Sequence, residues 1–151
     1  MKALIQRVKH CSVTVAGSQV SVIQSGMLIL LGVKNGDNEE AAEYIAQRCA
    51  DLRIFDDEQG KMNLSIKDAK GQAMVVSQFT LYGDTRKGNR PSYTDAAPPE
   101  IAERLYEYFI GELKKQIGDQ NVKAGVFRTM MDVELINDGP VTVTVESKNA
   151  G

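Results

Sequence analysis

The sequence of 151 residues is poor in the side chains that usually carry hydrolytic chemistry, with one histidine, two cysteines and no tryptophan. His10 stands between Lys9 and Cys11 near the start of a predicted strand, where a surface position is favoured over a catalytic one. Without it no Ser-His-Asp or Cys-His set can be assembled, and no GxSxG motif is present. The chain therefore lacks the usual acid–base machinery of a hydrolase.

Metal-binding patterns are also missing. Cys11 and Cys49 share neither a CxxC nor a metal-type spacing, so two small buried hydrophobic side chains are favoured over a disulfide or a zinc site. The adjacent carboxylates Asp56 and Asp57 lie in a loop rich in solvated charge. We therefore expect neither a metal nor a cofactor.

Long apolar runs and a strong charge imbalance are absent as well. No apolar stretch approaches the roughly 18 residues of a membrane span, and the N-terminal segment MKALIQRVKHCSVTV alternates instead of forming a signal-peptide block. These features predict a cytoplasmic protein without a membrane partner. The net charge of −2 gives no overall attraction to nucleic acid, so a polyanionic partner requires a local basic patch.

What is present is an ordinary globular pattern, with 42% hydrophobic and 25% charged residues. This balance predicts one α/β domain over residues 1–151. Strands are predicted over 2–8, 12–16, 20–23 and 27–33, forming a meander in a mixed sheet.

The remainder of the chain predicts two main helices and three further strand segments. A helix is expected over 39–52, followed by a strand over 72–81. Pro98 and Pro99 open a second helix, whose inner face is predicted to hold Ile101, Leu105, Tyr108, Phe109 and Leu113. Segments 129–138 and 141–147 are interpreted as the arms of a hairpin around Gly139-Pro140. The sheet is therefore expected to be mostly antiparallel.

The stretch SQFTL, residues 77–81, has two interpretations. The plainer one is a buried strand whose hydroxyls bond to neighbouring backbone. The functional one is that a strand end presents Gln78, Thr80 and backbone N–H groups, near Gln78 and Phe79, to the oxygen of a tetrahedral intermediate. Ser77 or Thr80 could also serve as a nucleophile, but only with an adjacent base.

Two further stretches combine residues that suit RNA recognition. The loop GDTRKGNRPSY brings Arg86, Lys87 and Arg90 together, and a solvated loop and a phosphate contact are equally compatible with it. Tyr93 and Phe127 could stack on a base or belong to the core.

The segment NDGPVTV, residues 137–143, would ordinarily be a hairpin turn. Pro140, however, stands where the next strand should donate hydrogen bonds, and its preceding peptide bond has access to the cis form. Such a rigid piece of backbone is suited to recognising shape.

Taken together, SQFTLYGDTRKGNRPSY and NDGPVTV resemble the D-aminoacyl-tRNA deacylase family. MKALIQRVKHCSVTV, GMLILLGV, LRIFDDEQGKMNLSI and AAPPEIAERLYEYF are also similar to that family in order and spacing. The resemblance thus covers nearly the whole chain.

The resemblance implies a barrel-like α/β homodimer with its active sites at the subunit interface. Members hydrolyse the ester that joins a D-amino acid to the terminal adenosine of tRNA, and they remove glycine from mischarged tRNA(Ala). The terminal ribose 2′-hydroxyl takes part, and no cofactor or obligatory side-chain nucleophile is needed.

The resemblance also assigns roles to individual residues. The catalytic motif corresponds to Ser77, Gln78, Phe79 and Thr80, with Leu81 completing it. Gly139 and Pro140 form a Gly-cis-Pro motif that enters the partner's pocket, where their carbonyls would block an L side chain, and Arg7 supports that segment. The tRNA-binding candidates, taken from the residues and not from the resemblance, are Arg86, Lys87, Arg90 and Phe127.

One departure and two alternatives accompany this interpretation. After Phe127 the family usually has a Gly-Ala pair, whereas Arg128 and Thr129 follow here, which puts contacts with the terminal adenosine in question. The first alternative is an esterase with Thr80 or Ser77 as covalent nucleophile. The second is a non-catalytic RNA-binding module.

Overall fold

In the computed structural model, which describes residues 1–148, the sheet is organised around β1 (Lys2–Val15). The first half of β1 pairs with β3 (Gly26–Gly32), and its second half pairs with β2 (Ser18–Ile23). The two strands expected over 2–8 and 12–16 are thus one strand. The predicted meander is wrong, because β2 and β3 both use β1 as their partner.

The sheet continues from β3 through parallel pairs. β6 (Gln72–Ser77) pairs with β3, and β7 (Val122–Ala124) pairs with β6. The hydroxyl of Ser21 on β2 donates to the carbonyl of Ala124 on β7 at 2.8 Å, so the two ends of the sheet approach each other. The predicted mixed, barrel-like sheet is confirmed. A small separate hairpin is formed by β4 (Phe55–Asp56) and β5 (Met62–Leu64).

Two long helices cover one face of the sheet, as predicted. α1 (Glu39–Asp51) begins at Asn38, whose side-chain oxygen accepts from the Ala41 N–H at 3.0 Å. α3 (Pro99–Ile117) packs beside it, and the short α2 (Ile66–Ala69) lies between them in sequence.

The inward face of α3 differs in part from the expectation. Ile101 is 42% exposed and Tyr108 is half-buried, whereas Leu105, Phe109 and Leu113 are buried as predicted. The stripe is completed by Ala102, Tyr106 and Ile110, at the three- and four-residue spacing of a helical face. The Tyr106 hydroxyl donates to the Val75 carbonyl at 3.1 Å, which allows this polar group to be buried.

The last strand is continuous, so the predicted hairpin around Gly139-Pro140 is wrong. β8 (Asp132–Glu146) pairs antiparallel with β1 on both sides of the proline, with Asn137 opposite Val8 and Thr142 opposite Gln6. Between these pairs, residues 138–141 bulge out of the ladder. The Asn137 side chain accepts from the Val141 N–H at 3.0 Å and donates to the Thr142 hydroxyl at 2.9 Å, so it closes the bulge without reversing the chain.

No helix among residues 1–148 is both long and apolar enough to cross a membrane.

Candidate active site at the end of strand β6

The segment that follows β6 is a helical turn and not an extension of the strand. β6 ends at Ser77, and Phe79–Tyr82 form one turn of 3₁₀ helix, hereafter the 79–82 turn. The strand predicted through Leu81 is therefore too long. The chain turns because the Leu81 N–H donates to the Gln78 carbonyl at 3.2 Å, and the Gly83 N–H donates to the Thr80 carbonyl at 3.0 Å.

The hydrogen bonds of this turn separate the backbone donors into used and free ones. The Gln78 N–H donates to the Leu31 carbonyl of β3 at 2.8 Å, so it is occupied. The N–H groups of Phe79 and Thr80 have no acceptor among residues 1–148, because the first amides of a helical turn have no partner within the turn. The candidate donors for an oxyanion are therefore Phe79 and Thr80.

The side chains of the turn are open to solvent but offer no base. Phe79 is 56% exposed, and its ring meets the ring of Tyr93 edge to face at 5.2 Å between centroids. The Gln78 side-chain amide donates to the Thr80 hydroxyl. An amide donor cannot remove a proton from that hydroxyl, so nothing in this contact activates Thr80 as a nucleophile.

Other groups that could act as base or nucleophile lie elsewhere or are inert. His10 is on β1, opposite Ile136. Burial raises the pKa of the Cys11 thiol to about 11, and burial raises the pKa of the Cys49 thiol to about 12, so both stay protonated near neutral pH. Within the described part of the chain, no three His, Cys, Asp or Glu side chains are grouped to hold a metal.

The basic loop between Asp84 and Ser92 is closed by backbone hydrogen bonds, and one of its positive charges is paired with a carboxylate of the same loop. Asp84 and Ser92 exchange backbone hydrogen bonds of 2.7 and 2.9 Å at its base. The Arg86 guanidinium donates to both carboxylate oxygens of Asp84, at 2.9 and 2.7 Å, and these bonds hold the pKa of Asp84 at about 2. Lys87 and Arg90 are exposed beyond this pair.

Phe127 lies in a different setting. It is half-buried, and its ring packs against Tyr106 at 5.7 Å between centroids. This places Phe127 against the core that the helices form with the sheet. Of the two stacking candidates, Tyr93 is the more open, at 41% exposure.

The buried Arg7 connects the bulge of β8 to the β4 region. Its Nη1 donates to the Ile54 carbonyl at 2.8 Å and to an Asp56 carboxylate oxygen at 3.2 Å. Its Nε donates to the Asp138 carbonyl at 3.1 Å. The next peptide bond along, Gly139-Pro140, is cis, and both residues are exposed.

The two candidate motifs do not meet within one chain. Lys2 places its ammonium 5.0 Å from the Tyr82 ring centroid, so the 79–82 turn lies beside the start of β1. The bulge lies opposite Arg7, which is about 16 Å further along β1 at 3.3 Å per residue. The bulge also lies on the other side of β1 from β3 and β6.

Some neighbours of the turn were not singled out from the sequence. Gly32 ends β3 directly beneath the turn, and Lys2 and Tyr82 contact each other beside it. A cavity of about 590 Å³ near the same end of the sheet is lined by residues that include Lys34, Asp37 and Tyr44. Only the glycine at the end of the apolar run GMLILLG could have pointed to this packing in advance.

Comparison with known proteins gives consistent results. A family model described as D-Tyr-tRNA(Tyr) deacylase matches residues 4–146. A D-aminoacyl-tRNA deacylase of Carboxydothermus hydrogenoformans is 53% identical over 146 residues, 97% of this chain and 99% of that protein. One of Bacillus cytotoxicus is 54% identical over 148 residues, 98% of this chain and 100% of that protein.

Solved structures of similar proteins extend the comparison. A structure described as c-Myc DNA unwinding element binding protein superposes with a TM-score of 0.94 at 41% identity, covering 99% of this chain and 100% of that one. A probable eukaryotic D-amino acid tRNA deacylase superposes with a TM-score of 0.81 at 15% identity, covering 96% and 98%, which is a likeness of fold alone.

Proposed function

The chain belongs to the D-Tyr-tRNA(Tyr) deacylase family, and from that premise we propose that it hydrolyses D-aminoacyl-tRNA to free D-amino acid and tRNA. The observation that carries the chemistry is the pair of unoccupied N–H groups at Phe79 and Thr80, in a site without a base. The direct test incubates the protein with matched D- and L-aminoacyl-tRNA and follows loss of the ester. Loss from the D form alone is expected; equal stability of both would refute the proposal.

The proposed reaction needs positioning more than a strong protein base, because an aminoacyl ester is already activated. Water adds to the ester carbonyl carbon and gives up one proton, and negative charge develops on the carbonyl oxygen, which faces the N–H groups of Phe79 and Thr80. The bond to the ribose oxygen then breaks, and that oxygen leaves with the bonding pair and takes up a proton. The neighbouring ribose 2′-hydroxyl assists these steps, so the RNA supplies what the chain lacks.

Selectivity is proposed to be steric and shared between two copies of the chain. The carbonyls of Gly139 and Pro140 would stand where an L side chain projects, whereas a D side chain would point away. Glycine has no side chain that these carbonyls could exclude, so glycyl-tRNA(Ala) is a second expected substrate.

Two features support a homodimer. The bulge and the 79–82 turn are distant within one chain, so a second copy is needed to bring them together. β8 pairs with β1 only, as far as the described residues go, so one long edge of β8 has free backbone groups.

The hydrolysis of a translation substrate further suggests that the protein works in the cytoplasm.

We expect Gly139→Ala to weaken the rejection of L-aminoacyl-tRNA by about tenfold or more. Gly139 has a φ of +127°, and an added Cβ would lie 2.8 Å from Val141 Cγ2 and 3.1 Å from an Arg7 nitrogen, so the bulge must shift. Gly36→Ala is the matched control, because Gly36 also has a positive φ, +89°, but open space around it. The rates on D- and L-tyrosyl-tRNA decide: an unchanged ratio in Gly139→Ala would count against steric exclusion.

Mixing two defective chains tests whether the pocket is shared. The Gly139→Ala chain is titrated with an excess of a chain inactivated in the turn by Phe79→Pro. In mixed dimers an intact turn would face an intact bulge, so L-substrate hydrolysis should fall while D-substrate hydrolysis persists. A chain that carries both Gly139→Ala and Phe79→Pro, added in the same excess, should leave L-substrate hydrolysis unchanged, because its bulge is altered as well. Persistent L-substrate hydrolysis in the first mixture would place both elements within one chain.

Phosphate contacts are assigned to the exposed cations beyond the Asp84–Arg86 pair. Replacing Lys87 by Gln is expected to reduce the slope of log binding constant against log salt by about 0.7–0.9, the loss of one phosphate contact. Lys70→Gln is the control. Lys70 is also an exposed lysine, but it lies before the start of β6, whereas the basic loop lies beyond the opposite end of that strand. Equal slopes for both variants and the unaltered protein, measured with uncharged tRNA, would exclude the loop as a phosphate contact.

A second candidate function is nucleic-acid binding without chemistry, which the description of one 41% identical relative as a DNA unwinding element binding protein favours. It predicts that uncharged tRNA binds while the aminoacyl group of every substrate survives. The ester-loss assay therefore separates this candidate from the deacylase.

A further inference from the structure

We propose that Gly32 is a positioning residue: its missing side chain allows the 79–82 turn to settle on the end of β3 and fixes the direction of the Phe79 and Thr80 N–H groups. The inference rests on the proposed role of those amides. Gly32 does not touch the reacting atoms; it acts through the turn that presents them.

The space above Gly32 is filled by Gln78, which precedes the 79–82 turn, and by two residues of the turn. A Cβ built on Gly32 would lie 3.2 Å from the Gln78 carbonyl oxygen, 3.2 Å from Leu81 Cβ and 3.2 Å from Tyr82 Cδ2. The first two atoms are held by the backbone and cannot be moved by changing a rotamer. Gly32 does not have a left-handed φ, so its backbone conformation does not require glycine, and the close packing supplies the reason for one here.

The turn cannot easily retreat from an added methyl group. The Gln78 N–H is bonded to the Leu31 carbonyl, the residue just before Gly32, at 2.8 Å. A shift that relieves the Gln78 carbonyl would lengthen this bond or tilt the peptide plane. Either change reorients the N–H groups that follow, and catalytic groups must be held within about 0.5 Å of the productive geometry.

Lys2 secures the same end of the turn. It pairs with Gly32 in the β1–β3 register, and its ammonium lies 5.0 Å from the Tyr82 ring centroid. The ammonium also lies 3.6 Å from a Glu146 carboxylate oxygen, which keeps it beside the ring. A cation over an aromatic face contributes a modest attraction, enough to favour one placement of a short turn.

The test compares two glycine-to-alanine variants in single-turnover deacylation of D-tyrosyl-tRNA. Gly32→Ala is expected to lower the chemical rate by about tenfold or more, with the enzyme concentration at half-maximal rate changed less than about twofold. Gly111→Ala in α3, where an added Cβ meets nothing within 4 Å, is expected to keep the rate of the unaltered protein. A purely structural role of Gly32 would lower only the fraction of folded enzyme, which in single turnover raises the enzyme concentration at half-maximal rate and leaves the saturated rate unchanged.

The possible outcomes separate this inference from the proposed function. An inactive unaltered protein would refute the deacylase itself, whereas an active one with an equally active, folded Gly32→Ala variant would overturn only the inference. If Gly32→Ala fails to fold by circular dichroism, Lys2→Met decides. The Lys2→Met variant should lower the deacylation rate several-fold without changing the affinity for the tRNA substrate. A deacylation rate equal to that of the unaltered protein would then overturn the inference.

Discussion

A substrate tRNA that ends in 2′-deoxyadenosine is expected to be deacylated about 10²–10⁴-fold more slowly than the normal substrate, the range of one lost acid–base contribution. The 79–82 turn offers donors for an oxyanion but no proton acceptor: the Thr80 hydroxyl is bonded to an amide donor, and His10 is elsewhere on β1. The ribose 2′-hydroxyl is therefore the proposed partner of the reacting ester. Single-turnover rates with the D-amino acid on the 3′-oxygen measure the effect directly.

The controls distinguish assistance by RNA from a covalent enzyme nucleophile. A deoxy substitution one nucleotide earlier should leave the rate within about threefold, because it removes a hydroxyl remote from the ester. Thr80→Ala should likewise retain most activity. The esterase alternative predicts the reverse pattern, in which Thr80→Ala abolishes turnover and the deoxy substrate reacts normally, and such a result would contradict the RNA-assisted mechanism.

Much of the fold could be predicted from local patterns. Alternation and apolar stripes predicted the positions of the longer strands and of the two long helices, because side-chain periodicity reflects which face is buried. The short strands β4, β5 and β7 were missed, because two or three residues are too few to show a period. The pairing of those strands could not be predicted in the same way. Whether 12–16 continues the first strand, or whether Asn137 begins a hairpin, depends on hydrogen bonds between residues more than a hundred positions apart.

In the candidate site, too, local features could be predicted from the sequence and long-range hydrogen bonds could not. The stretch SQFTL was predicted to lie at the end of a strand, and a strand does end there, at Ser77 instead of Leu81; its catalytic role stays a prediction. Which amides remain free was not accessible, because it depends on the Leu31 carbonyl accepting from Gln78. The pairing of Arg86 with Asp84, only two residues away, could have been anticipated from their spacing and charge.

The second large effect is expected for Phe79→Pro, which should lower the deacylation rate about 10²–10³-fold, the usual cost of removing one oxyanion donor. The change removes the Phe79 N–H together with the exposed ring and its contact with Tyr93. Proline is well accepted at the first position of a helical turn, and its φ near −65° suits a 3₁₀ turn. The preceding Gln78, with φ −143° and ψ 82°, is already outside the helical region that proline disfavours before it.

Phe79→Ala is the matched control, since it also removes the exposed ring and its contact with Tyr93 but keeps the N–H. We expect this variant to lose only a few-fold in rate. Equal rates in the two variants would show that the ring matters and the amide does not, and the oxyanion would then have to be stabilised by another group. A large loss confined to the proline variant would instead assign the main-chain N–H of Phe79 to the transition state, leaving Thr80 N–H to account for the residual rate.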